Sequence, residues 1–263
     1  MNAVTIHAPL TPKADTAPHV VKLKVFWKTT QKWKAADIAD FRQSVPRIAE
    51  RLRQEQYWNK DGDIRSNKFT CEDFAIRVLC EYASTKGLPV KLTTGVRTYR
   101  NMELYDAGEH DRYASNKYGF SGMVMLTFGA PDMLNLGNTK QVNNDAVMPG
   151  DLLAQMNEKN TARHVQVVIQ NDGSTIRVIQ GNQEYKYPYR VLYWLSKKLG
   201  GGKDHSVANP AAQGYEGLPI IGEALYTRNG DKWSYKNLRS GFSSPDFLHQ
   251  FVGRAWNFME FNK

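Results

Sequence analysis

Cysteine is scarce in this chain: there are two in 263 residues, Cys71 and Cys80. Two thiols cannot make a disulfide framework, and these lack the paired spacing of a zinc site. Nine residues apart on one helix, they would sit about 180° from each other, which excludes a bridge between them. Long apolar runs are also missing. The longest, such as 123–126, are strand-sized, far short of the roughly 18 residues that span a bilayer. Acidic side chains are in deficit, 26 Asp and Glu against 35 Lys and Arg, a formal net charge of +9. Such a surplus predicts attraction to nucleic acid, anionic membrane or the polyanionic bacterial cell wall. No helix-turn-helix, zinc-finger or RNA-binding signature accompanies it, so a specific nucleic-acid partner is not expected, and a solubilising basic face is the plain alternative. Residues 1–20 have no basic start, apolar h-region or small-residue cleavage site. The expectation is a protein that works in the cytoplasm or is exported without a cleaved signal.

Metal and phosphate signatures are absent as well. His7, His19, His110, His205 and His249 form no His-x-x-x-His pair. Asp61, Asp63, Asn67 and Glu72 have calcium-loop spacing, but Arg65 at a ligand position and Ser66 in place of the required glycine argue against it. Gly200, Gly201 and Gly202 are not followed by the Lys-Ser/Thr of a phosphate loop and read as a hinge. No metal or cofactor is expected, and no internal repeat is present.

What is there reads as a mixed α+β chain. Residues 1–19, with Pro9, Pro12 and Pro18, are expected to form a flexible arm, and 20–27 a strand. Ile38, Phe41, Val45, Ile48 and Leu52 give one apolar helical face, which Pro46 should split into a short and a longer helix. After a polar loop at 59–67, residues 70–86 predict a strong helix stopped by Gly87 and Pro89. Its buried stripe is Phe74, Val78, Leu79 and Tyr82, with Cys71 on the first turn and Cys80 beside Ile76 on another side. Residues 90–99 and 123–128 are candidate strands around a long loop at 100–121. Three short strands follow, at 151–155, 164–170 and 175–181, the last two joined by the Asn171-Asp172-Gly173-Ser174 turn. A helix at 189–199, a hairpin of 224–227 and 233–235 around Asn229-Gly230, and a helix near 245–257 complete the chain.

Two residues stand in positions that suit nucleophilic chemistry. The thiolate is the nucleophilic form of cysteine, and a helix N-terminus favours negative charge. Cys71 is at such a start; Glu72 and Asp73 oppose the thiolate if they face the sulfur, though they also suit the first turn. A base must take the thiol proton and later protonate the leaving group, and His164 opens a strand after the Pro149-Gly150-Asp151 turn. A third group must orient the imidazole. The returning strand offers Gln180 and Asn182, which strand alternation puts on the same face.

Thr70-Cys71-Glu72-Asp73-Phe74-Ala75, Pro149-Gly150-Asp151 and His164-Val165-Gln166-Val167-Val168, in this order, resemble the NlpC-type and CHAP-type amidohydrolases. The resemblance covers about residues 60–185. It implies a papain-like fold, with the cysteine-bearing helix packed on an antiparallel sheet, and cleavage of amide bonds in bacterial peptidoglycan. The family pattern ends in acid-x-Asn. Here that stretch is Gln180-Gly181-Asn182, which assigns Asn182 as the orienting residue and puts Gln180 where the acid usually stands. The resemblance thus implies a 20–199 catalytic domain followed by a 200–263 extension packing on it. Transglutaminase-like proteases share the Cys-His order but use an Asp after the histidine, and Asp172 in the hairpin turn is poorly placed for that. Tyr113 and Tyr118 are candidates to line a substrate cleft. Similar domains occur in phage lysins and in antibacterial type VI secretion effectors, whose partners include immunity proteins. A protease, deamidase or acyltransferase acting on a protein or lipid, and a non-catalytic binding module, are the rival expectations.

Overall fold

The computed structural model describes residues 5–7, 20–55, 71–181, 222–238 and 241–263. The chain is mixed α and β. Helices α1 (Ala35–Glu55) and α2 (Cys71–Lys86) follow strands β1 (Thr5–His7) and β2 (Val20–Val25). Next come β3 (Lys91–Thr93), β4 (Thr98–Arg100), β5 (Met102–Asp106), α3 (Ala107–His110) and α4 (Lys117–Val124). Then follow β6 (Thr139–Val142), β7 (Leu152–Met156), β8 (Ala162–Asn171), β9 (Thr175–Gln180), β10 (Gly222–Asn229), β11 (Lys232–Asn237), β12 (Ser243–Ser244), β13 (Phe251–Trp256) and α5 (Phe258–Phe261).

Among the described residues the main sheet has eight strands in the order β12-β11-β10-β9-β8-β7-β13-β6, and β1-β2-β5 and β3-β4 form smaller sheets. All registered pairs are antiparallel. The alternation of β8 divides the interior into two layers. Val165, Val167 and Ile169 join the α1 and α2 side chains in one core, while Val168 joins Val178, Tyr226, Tyr235 and Phe251 in another.

Helix α2 follows its expected limits. Gly87 closes it at φ +64°, a left-handed conformation that glycine adopts without a Cβ penalty. The single buried stripe, however, does not hold: every residue from Cys71 to Ala83 is buried, because α1, α4 and the sheet enclose the helix. Three of its buried charges are paired, two with each other within the helix and one with α1 and α4. Arg77 bonds Asp73 at 3.1 Å, Ser121 donates to Asp73 at 2.7 Å, and Glu81 accepts Arg51 at 2.6 Å and Lys117 at 2.7 Å.

Four other expectations are corrected. Helix α1 runs unbroken through Pro46. A mid-helix proline costs about 3 kcal/mol, but burial of Phe41, Val45, Ile48 and Leu52 contributes about 1.5–3 kcal/mol each and outweighs it. Residues 123–128 are not a strand: Asn116 caps Tyr118 and Gly119 at 3.0 Å, and the apolar run ends α4. Short apolar runs fit either element, and the cap decided it. The supposed loop at 100–121 holds β5, α3 and α4. Residues 245–257 are not a helix: a single short turn at 248–250 leads into the strand β13, which fills the slot between β7 and β6.

The segment expected as an extension packing on the domain supplies β10 to β13, four strands of the main sheet. Thr5–His7, within the expected arm, pairs with β2. The loop at 59–67, the helix at 189–199 and the glycines at 200–202 lie outside the described residues.

Candidate functional site

Cys71 is the first residue of α2 and is 3 % exposed. Its thiol donates to Glu72 Oε2 at 2.9 Å, and its sulfur accepts from the backbone of Val165, the residue after His164. Burial, then the neighbouring Glu72 carboxylate, push its pKa well above the ordinary thiol value. The Val165 contact works the other way, as a hydrogen bond to the thiolate should. In this arrangement Cys71 is a neutral thiol. Cys80 is also buried, on the same helix.

His164 sits on β8 directly opposite Gln155 of β7, just past the bulge that shifts the register at Gln155/Met156. The side chain is fully buried. Its Nε2 meets Gln180 Oε1 at 2.8 Å, so the pairing of His164 with an amide on the returning strand is present. Burial pushes its pKa down to about 4, against the opposing hydrogen bond to Gln180, and the imidazole is neutral near pH 7. Asn182, the other candidate third residue, lies outside the described residues. Asp172 is engaged in its own turn, accepting from Ser174 and Thr175.

A network that the sequence reading missed surrounds His164. Gln166 donates to Gln180 Oε1 at 2.8 Å, and Tyr226 donates to Gln166 Oε1 at 2.8 Å. Gln180 Nε2 donates to the Tyr235 hydroxyl at 3.1 Å, and Asn237 approaches that hydroxyl at 3.4 Å. Beside it, Gln155 donates to Gln250 at 3.0 Å. Gln166 stands two residues from His164, a period-2 signal that the sequence did carry. Tyr226 and Tyr235 face each other across the β10–β11 hairpin, a pairing readable once the register is fixed.

Cys71 and the His164 network belong to different layers. Cys71 lies in the core shared with Val165 and Val167, whereas Gln166 and Gln180 bond to Tyr226 and Tyr235 of the other. Among the described residues no hydrogen bond joins Cys71 to His164. The sulfur meets β8 at the backbone of the next residue instead.

The Pro-Gly-Asp turn is built as expected. Asp151 accepts from Met148 N at 2.9 Å and has Arg42 of α1 at 3.8 Å; burial raises its pKa to about 6. Tyr113 and Tyr118 are half-buried against the core. The Tyr113 carbonyl accepts from Lys24, and the Tyr118 ring lies 6.0 Å from the Arg77 guanidinium, about a turn and a half along α2 from Cys71. Among the described residues no group of three or more His, Cys, Asp and Glu is placed to hold a metal, and no helix is long and apolar enough to cross a membrane. No family model, curated protein or solved structure matches the chain.

Proposed function

We propose that the chain is a papain-like, cysteine-dependent hydrolase of peptide amides in bacterial peptidoglycan. Cys71 is the nucleophile, His164 the base, and Gln180 or Asn182 the orienting residue. The observation that carries this is the hydrogen bond from His164 to Gln180 on the sheet against which the Cys71 helix packs. The wall substrate rests on the resemblance to NlpC-type and CHAP-type enzymes, and the net charge of +9 suits an anionic polymer.

This mechanism requires the Cys71 thiol to leave Glu72 and the His164 ring to leave its own layer of the sheet, so that the thiol can give its proton to the imidazole. The sulfur attacks the amide carbonyl carbon, and backbone N–H groups at the start of α2 stabilise the oxyanion. His164 then protonates the leaving amine as the C–N bond breaks. Water, deprotonated by His164, hydrolyses the thioester and restores the thiol. Because both groups rest in their neutral forms, proton transfer accompanies attack rather than preceding it. Delivery as an antibacterial effector, with an immunity protein as partner, follows from the same resemblance.

A second reading has its own observation: the buried, Glu72-bonded thiol and the absence of a Cys71–His164 bond suit a non-catalytic binding module. Digestion of purified sacculi, analysed by mass spectrometry, separates the two. Muropeptide fragments that disappear with Cys71→Ala and with His164→Ala, both checked for folding by circular dichroism, are the expected result. If wild-type protein releases no Cys71-dependent fragment, the wall-hydrolase proposal is wrong. Cys71-dependent turnover of a protein or lipid ester instead would assign the protease, deamidase or acyltransferase class.

A further inference from the structure

We propose that Gln166 and Tyr226 are positioning residues which, through Gln180, hold His164 as the tautomer protonated on Nε2 and leave the lone pair on Nδ1. All four side chains point to one face of the sheet. The β8–β9 register pairs Val168 with Val178, so two residues on, Gln166 lies opposite Gln180. The β10–β11 register pairs Tyr226 with Tyr235 over the same layer. The Tyr226 hydroxyl is fully buried and has one partner among the described residues, Gln166 Oε1 at 2.8 Å. A buried hydroxyl with a single partner must spend its proton there, since an unmet donor costs about 1–3 kcal/mol. Burial also keeps that phenol protonated, raising its pKa well above the ordinary value.

The direction then propagates. With its oxygen taken by Tyr226, Gln166 presents its amide NH2 to Gln180 Oε1 at 2.8 Å. Gln180 is thereby fixed with its oxygen inward and its nitrogen on the Tyr235 hydroxyl at 3.1 Å. The Tyr235 hydroxyl then needs an acceptor for its own proton, and the Asn237 amide at 3.4 Å supplies one when its oxygen is turned towards the phenol. The oxygen of Gln180 faces His164 Nε2 at 2.8 Å, and two acceptors cannot share that contact, so Nε2 carries the proton. An amide, unlike the carboxylate of the resembling family, fixes the tautomer without adding a charge that favours imidazolium.

The catalytic consequence rests on the proposed function, whereas the tautomer itself does not, and the test uses that difference. The full chain is labelled with 15N-histidine, and His164 is assigned by the resonances lost in His164→Asn. Its ring shifts and two-bond 1H–15N couplings at pH 7.5 are expected to report the Nε2–H form. Tyr226→Phe frees Gln166 to turn and should give a mixture of tautomers. Gln166→Glu, which can only accept while ionised, should turn the Gln180 amide and convert His164 to the Nδ1–H form. A wild-type Nδ1–H imidazole overturns the proposal, as does an unchanged tautomer in either folded variant. If sacculi are cleaved, Tyr226→Phe should lower kcat by about tenfold with KM within about twofold. A failed sacculus digest leaves the tautomer result standing.

Discussion

His164 enters the folded protein as a neutral imidazole because burial penalises its charged form, and the Gln180 side chain that it meets is an amide, not a carboxylate. Its pKa is pushed down to about 4 from 6.5. As pH falls through 6.5, the unfolded chain binds a proton that the folded state refuses until about 4. Stability therefore declines with falling pH across that window, by on the order of 3 kcal/mol from this residue. Asp151 has the opposite sign. Raised to about 6, it is protonated first in the folded state and adds stability as pH falls from about 6 towards 3.8. Denaturant titrations at pH 7.5, 5.5 and 4.5 separate the two. His164→Asn should lose the acid-side decline, and a stability difference from wild type that stays constant across these pH values would contradict the assignment.

At the scale of elements, the Met148-Pro149-Gly150-Asp151 turn is where α1 and the main sheet meet. Gly150 has φ +88°, and a Cβ there would lie 2.5 Å from the Phe41 ring and 3.0 Å from Val45. Gly150→Ala therefore combines backbone strain with overpacking of α1, and a loss of about 2–4 kcal/mol is expected by denaturant unfolding. A loss below about 1 kcal/mol would mean that α1 yields without cost. Much of this was legible beforehand. The Pro-Gly-Asp turn, the 164–170 and 175–181 hairpin and the start and stop of α2 all carry local signals, in turn residues, period-2 alternation and a glycine terminator. Pro46 and the 245–257 segment were misread because local chemistry pointed one way and packing the other. Proline says stop, but the buried face of α1 outweighs it; Phe247, Leu248 and Phe251 sit at helical spacing, but a vacant slot between β7 and β6 takes the chain as strand.

For the whole molecule, the order β12-β11-β10-β9-β8-β7-β13-β6 makes the C-terminus part of the sheet's interior. Strand β13 pairs on both sides, and Arg254 on it donates to Thr139 Oγ1 at 2.9 Å and to the Leu134 and Thr139 carbonyls at 3.0 Å. Removing residues 251–263 would expose the edge of β7, detach β6 and uncover Trp33, whose ring lies 4.3 Å from that of Phe258. The truncated chain is expected to lack a cooperative thermal transition. A sharp transition near that of the full chain would show that β13 is dispensable.

The sequence by itself determined the mixed α and β character, the position of Cys71 at a helix start, the His164 strand and two amides, Gln180 and Asn182, as candidates to face it; that Gln180 does so came from the structure. Each rests on neighbours within a few residues, where turn chemistry and side-chain period act directly. Only tertiary structure decided that α2 is enclosed on nearly all sides, that β13 sits between β7 and β6, and that Tyr226 and Tyr235 close a polar network over His164. These depend on contacts between residues from 30 (Arg51–Glu81) to 117 (Thr139–Trp256) positions apart, which no local pattern encodes. Tertiary packing also put the Cys71 thiol on Glu72 and its sulfur at the Val165 backbone, because a helix packed on one face of a strand meets alternate side chains and the intervening amides.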